Sequence, residues 1–103
     1  MTSNEIIQKV KNHLNLIKLD FDDNADFYCR DKEFAELRDK TKKEIYTVSF
    51  KTPDYIERNK NGEITSLIEG YPCWCKLDAE TFEILYYIKP HGYIEPDGTG
   101  HWI

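Results

Sequence analysis

Residues 44–50 read Glu44-Ile45-Tyr46-Thr47-Val48-Ser49-Phe50, and they decide the fold. Tyr46, Val48 and Phe50 alternate with Thr47 and Ser49. That period of two is the signature of a half-buried strand, because successive side chains leave a strand on opposite faces. Thr52-Pro53-Asp54 breaks the strand. Residues 54–70 then read as an irregular excursion, with a polar turn at Asn59-Lys60-Asn61-Gly62 and a short strand around Ile64 to Ile68. Gly70 and Pro72 bracket the next strand. It runs extended from Tyr71 to Leu77, with Cys73, Cys75 and Leu77 on one face and Trp74 on the other. Leu77-Asp78-Ala79-Glu80-Thr81 is a turn. The strand from Thr81 to Lys89 has two faces, Phe82-Ile84-Tyr86-Ile88 and Glu83-Leu85-Tyr87. Both are partly apolar, which predicts a central strand. Pro90-His91-Gly92 ends it, the tail 95–100 is turn-rich, and Trp102-Ile103 is placed to tuck back.

Toward the N-terminus, Thr2-Ser3-Asn4-Glu5 offers capping chemistry for a helix. Ile6, Ile7, Val10, Leu14 and Ile17 follow at intervals of three and four, one apolar stripe of a helix reaching about Lys18, with Leu16 off the stripe. The acidic segment 20–26 ends that helix. Residues 31–42 stay ambiguous between a short helix capped by Asp31 and a hairpin turning through 39–42. The fold class expected is α+β, an N-terminal helix packed on an antiparallel sheet of three to five strands.

The chain has 103 residues, enough for a single domain spanning 1–103. Hydrophobic residues make up 40% and charged residues 32%, and no apolar run is long enough to cross a membrane. Fourteen Lys and Arg against nineteen Asp and Glu leave a net charge of −5, which argues against a nucleic-acid partner. The charge is uneven, since four aspartates fall within residues 20–26 and a basic stretch follows from Arg30 to Lys43. Aromatic residues are 14% of the chain, too many for a disordered one. Three cysteines, two of them separated by one residue, make a poor disulfide framework. With no secretory signal at the start, reduced thiols in a cytoplasm are expected.

Four constellations could carry chemistry. Asp20, Asp22, Asn24 and Asp26 alternate like the oxygen ligands of a calcium loop, with Asp31 at position 12 counted from Asp20, or Glu33 counted from Asp22. Ala25 or Phe27 stands where that loop needs a turn-making glycine, in either register. Cys73 and Cys75, with His91 or His101, could converge on a transition metal. The spacing lacks the paired knuckles of structural zinc sites, and two small core hydrophobes are the simpler reading. A cysteine nucleophile with His91 or His101 as base, oriented by Glu83 or Asp97, would need a cleft that no motif announces. His13 reads as a boundary residue of the helix, and no glycine loop cradles phosphate. The acidic loop together with the C-terminal aromatics could instead form a binding surface. Charge would steer the encounter and buried rings would supply the energy.

The strand Tyr46-Thr47-Val48-Ser49-Phe50 resembles an aromatic-x-Val-x-Phe strand, and 77–84 resembles the hairpin hydrophobe-Asp-x-x-Thr-Gly-Glu-hydrophobe. With the preceding helix, roughly half of the chain is similar to small cystatin-like and PepSY-like modules. It is also similar to bacterial immunity proteins with a fold like nuclear transport factor 2. Phe82 stands where those patterns usually carry glycine. The resemblance implies inhibition by binding rather than catalysis, without a cofactor. The function expected is thus a non-enzymatic immunity-type inhibitor of a protein partner with a basic surface, such as a toxin effector. The alternatives are a phage-type anti-defence inhibitor, or a small module binding metal or ligand through the cysteines or the concave face of the sheet. The contact residues expected from exposure and chemistry are Asp22, Asp23, Asp26, Trp74, Tyr87 and Tyr93.

Overall fold

A computed structural model describes residues 1–102. Helix α1 spans Ser3–Leu16. Nine strands follow: β1 Tyr28–Cys29, β2 Glu33–Glu36, β3 Lys42–Lys51, β4 Tyr55–Arg58, β5 Ile64–Ile68, β6 Pro72–Asp78, β7 Ile84–Lys89, β8 Gly92–Ile94 and β9 Gly100–Trp102. The α+β class stands, but the main sheet has seven strands rather than three to five, in the order β1-β3-β6-β7-β8-β9 with β2 also paired to β3. The surplus comes from strands of two to four residues (β1, β2, β8 and β9), too short to show a period in sequence. The ambiguous segment 31–42 is the hairpin β2–β3.

The helix begins as its sequence directs. Thr2 Oγ1 accepts the Glu5 N–H, and Glu5 Oε1 accepts the Thr2 N–H, a complete capping box. It ends before the acidic segment. Lys18 takes φ 59°, and the Leu19 N–H returns to the Leu14 carbonyl, so a left-handed residue closes the last turn. The aspartates that follow do not terminate it. The stripe Ile6, Val10 and Leu14 is buried, while Leu16 stands in solvent.

That stripe packs on alternate residues of the sheet. Register places Val48 opposite Cys75 and Phe50 opposite Cys73; Cys75 is also paired with Tyr87, and Tyr87 with Ile94. These residues form one core cluster with the helix, joined by Leu77 and Ile84. A bulge opposite Lys76 and Leu77 sets Leu85 out of register, since Lys76 pairs with Tyr86 and Leu77 with Ile84. Strict alternation would group Ile84 with Tyr86 and Ile88. The bulge instead puts Ile84 with Tyr87 beneath the helix and leaves Tyr86 and Ile88 on the far side.

The excursion 54–70 is more ordered than its sequence suggests. β4 and β5 form a separate two-stranded ribbon around the turn at Asn59–Gly62. The strand Ile64–Ile68 falls where expected, but Tyr55–Arg58 is a strand rather than irregular chain. The ribbon stays off the main sheet and contributes to the elongated outline, 53 × 30 × 21 Å.

Candidate functional site

Helix α1 covers one face of the sheet; no helix among the described residues packs on the other, although Ile45 and Thr47 of β3, which lie on it, are 1% and 0% exposed. The residues of this second face are those of opposite parity to the core. Register runs one row straight across it: Tyr28 opposite Ser49, Ser49 opposite Trp74, Trp74 opposite Ile88, Ile88 opposite Tyr93, and Tyr93 opposite His101. Trp74, Ile88, Tyr93 and His101 are half-buried. The Tyr93 and His101 rings stack at 4.5 Å between centroids, and the Arg38 guanidinium carbon lies 3.3 Å from the centre of the Tyr93 ring. His101 Nε2 is shielded from solvent, with the Glu95 carboxylate at 3.8 Å, beyond hydrogen-bond range.

A second row carries charge. The Lys76 ammonium donates to Thr47 Oγ1 at 2.9 Å and has no acidic side chain in direct contact among the described residues. Partial burial lowers its pKa, because desolvation disfavours the ammonium, while Glu33 nearby acts in the opposite sense. Lys43 pairs with Asp78 at 3.1 Å. The Asp78 carboxyl also accepts the Glu80 and Thr81 N–H groups, and these bonds hold its pKa below the ordinary value. The tip of hairpin β2–β3 curls over this face. Leu37, Arg38, Asp39 and Lys43 face Leu85, Tyr86, Tyr93 and Glu95 across a cleft of about 410 Å³.

Trp74 and Tyr93 therefore share one surface. Asp26 is two residues before Tyr28, the first residue of the aromatic row, whereas Asp23 lies against Lys11 of the helix that covers the opposite face. Asp23 and Asp26 are exposed; Asp23 pairs with Lys11 at 3.1 Å, and Asp22 Oδ1 accepts the Asn24 N–H. Tyr87 must be removed from the contact residues. It is fully buried beneath the helix, where its hydroxyl lies 2.6 Å from His13 Nδ1. His13 Nε2 lies 2.8 Å from the Pro96 carbonyl. A carbonyl can only accept, so Nε2 carries a proton and donates to it, which leaves Nδ1 to the Tyr87 hydroxyl. His13 joins helix, sheet and the 95–100 turn, which spacing alone could not reveal.

The thiol candidates also change character. Cys73 and Cys75 are fully buried on the helix side, whereas His101 lies on the second face and His91 is exposed on the β7–β8 turn. Burial pushes the Cys73 pKa up to about 11 and raises that of Cys75 further. A thiol so protonated is neither a ready nucleophile nor a ready ligand. Among the described residues no group of three or more His, Cys, Asp or Glu side chains gathers as a metal site. The residues missed in sequence are Arg38, Tyr86 and Lys76. Their meeting depends on the curl of the β2–β3 tip and on the Leu85 bulge.

No known protein-family profile, curated protein or solved structure matches this chain. No helix among the described residues is long and apolar enough to cross a membrane. What the structure defines is an α+β domain whose second sheet face carries a largely half-buried aromatic row and, among the described residues, no helix.

Proposed function

We propose that the protein is a non-enzymatic inhibitor of the immunity type, which binds a protein partner through the second face of its sheet. The observation that carries this reading is the row Tyr28, Trp74, Ile88, Tyr93 and His101 on a face that no helix covers. Interfaces draw most of their energy from Trp, Tyr and Arg in partly desolvated positions, and Trp74, Tyr93 and Arg38 stand together here. The exposed Asp26, two residues before Tyr28, and the net charge of −5 favour a partner with a basic surface, for which they would raise the association rate. A phage-type inhibitor would use the same surface. The test is affinity capture with the native chain and with a Trp74→Ala/Tyr93→Ala variant. The native chain retains one stoichiometric protein, and the variant loses at least about thirtyfold in affinity for it, the range of hot-spot truncations. Equal capture by both would overturn the reading.

The cleft under the β2–β3 tip favours a second reading, a ligand-binding module. Its 410 Å³ falls within the range of small-molecule sites, and Arg38, Lys43, Tyr86 and Tyr93 offer donors and Asp39 and Glu95 acceptors to a polar ligand. A bound small molecule released on denaturing the purified protein, with no protein captured, would favour it.

A further inference from the structure

The β4–β5 ribbon buries almost none of its apolar side chains. Tyr55, Ile56, Ile64, Leu67 and Ile68 are 45–58% exposed. Isolated two-stranded hairpins are marginal in water, so these side chains need a cover. They occupy both faces of the ribbon. Register puts Tyr55 opposite Ile68 on one face, and Ile56 opposite Leu67 on the other. One flat contact would cover only half of them.

Charge narrows the occupant. Residues 55–68 hold Glu57 and Glu63 against Arg58 and Lys60, so the ribbon is neutral and the whole net charge of −5 lies outside it. Two copies of an acidic chain repel through their bodies, yet they can meet at the ribbon without repulsion. We infer that the ribbon is an exchange arm through which two copies of this chain form a two-fold dimer. One face of each arm packs on the arm of the second copy and the other face on its body. In an antiparallel crossing the tip of one arm reaches the root of the other. At that root the second copy presents Tyr71, next to its arm, and Trp102, 71% exposed. Lys89 of the same chain already lies 5.3 Å from the Tyr71 ring and 5.0 Å from the Trp102 ring, so these rings meet the arm through their remaining apolar surface.

The area is sufficient for a weak dimer. Five residues at about 3.3 Å each make a ribbon about 17 Å long and, with side chains, about 10 Å wide. Its two faces offer on the order of 350 Å². Each copy also gives the body surface under one face of the other arm, so its share is on the order of 525 Å² and the total about 1,050 Å², the size of a weak interface rather than a standard one.

The experiment is light scattering on the full chain from about 5 µM to about 500 µM, where mass action fills a weak dimer. The native chain becomes dimeric within that range, and raising salt from about 50 mM to about 500 mM tightens the dimer by screening the acidic bodies. Ile56→Asp/Leu67→Asp stays monomeric throughout and keeps the native melting temperature, while Phe34→Asp, altered at another exposed apolar residue, still dimerises. A native chain monomeric at the highest concentration, a dimeric arm variant, or chains growing beyond two copies would each overturn the exchange. The arm variant keeps its second sheet face, so its capture of a protein partner tests the proposed function separately.

Discussion

Two antiparallel strand pairs, β3–β6 and β4–β5, use similar side chains and meet opposite fates. Val48, Phe50, Cys73, Cys75 and Leu77 are buried, whereas Tyr55, Ile56, Ile64, Leu67 and Ile68 stand largely in water. Pairing is present in both. What differs is a third layer: β3 and β6 lie beneath the stripe Ile6, Val10 and Leu14, and among the described residues no member of that core cluster belongs to β4 or β5. Burial of a strand is thus set by what docks on it, and its apolar content shows only how much is gained when something does. The contrast recurs within the main sheet, between the face under α1 and the face that carries Trp74 and Tyr93.

The comparison is broken most forcefully at its two leucines. Leu14→Ala empties a fully packed position beneath the sheet and is expected to destabilise the domain by about 2–5 kcal/mol. Leu67→Ala removes an exposed side chain of the arm and is expected to stay within about 0.5 kcal/mol in protein dilute enough to be monomeric. Urea unfolding measures both. A comparable loss for Leu67 would mean that the arm is packed on its own body.

A smaller effect separates two tyrosines of the same sheet. Tyr87→Phe leaves His13 Nδ1 without its partner in a part-buried site, at a cost of about 1–3 kcal/mol. Tyr93→Phe keeps the ring between Arg38 and His101 and is expected to change stability by less than about 0.5 kcal/mol. Thermal melts of the two variants, compared directly, check the difference. Equal losses would place Tyr93 in a polar network of its own and weaken its assignment to a contact surface.

Much of this architecture is legible in residue order. The stripe from Ile6 to Ile17, the alternation about Val48 and the pair Cys73 and Cys75 each repeat with the period of their element. The strand Ile64–Ile68 is legible for the same reason, although its exposure is not, because period reports a face without naming its cover. The reading fails where one residue alters parity. Leu85 is the extra residue of a bulge, and it exchanges the surroundings of Ile84, the one residue before it in β7. Tyr87 was thereby legible as an apolar strand residue but not as a fully buried one. Of the contact surface, Trp74 and Tyr93 were legible as aromatic residues of strands. Arg38 and Lys76 were not, because their positions depend on a hairpin tip reaching across the sheet.

The last contrast lies in the turn joining β6 to β7. Phe82 takes φ 60°, the left-handed conformation that favours glycine. A residue with a Cβ pays roughly 1–2 kcal/mol there. The geometry is held by the Phe82 N–H donating to the Asp78 carbonyl, and by a ring that stacks on Tyr46 at 5.8 Å. The ring and the strain therefore act against each other, and two substitutions separate them. Phe82→Ala loses the stack and keeps the strained backbone, for an expected loss of about 1–2 kcal/mol. Phe82→Gly loses the stack and relieves the strain, so it should be more stable than the alanine variant by about 1 kcal/mol in urea unfolding, despite the greater freedom of its unfolded chain. If alanine matches glycine, the turn is not strained, and the aromatic residue needs no compensation to sit there. If glycine exceeds the native chain, the stack is worth less than the strain, and stability does not account for the ring at this position.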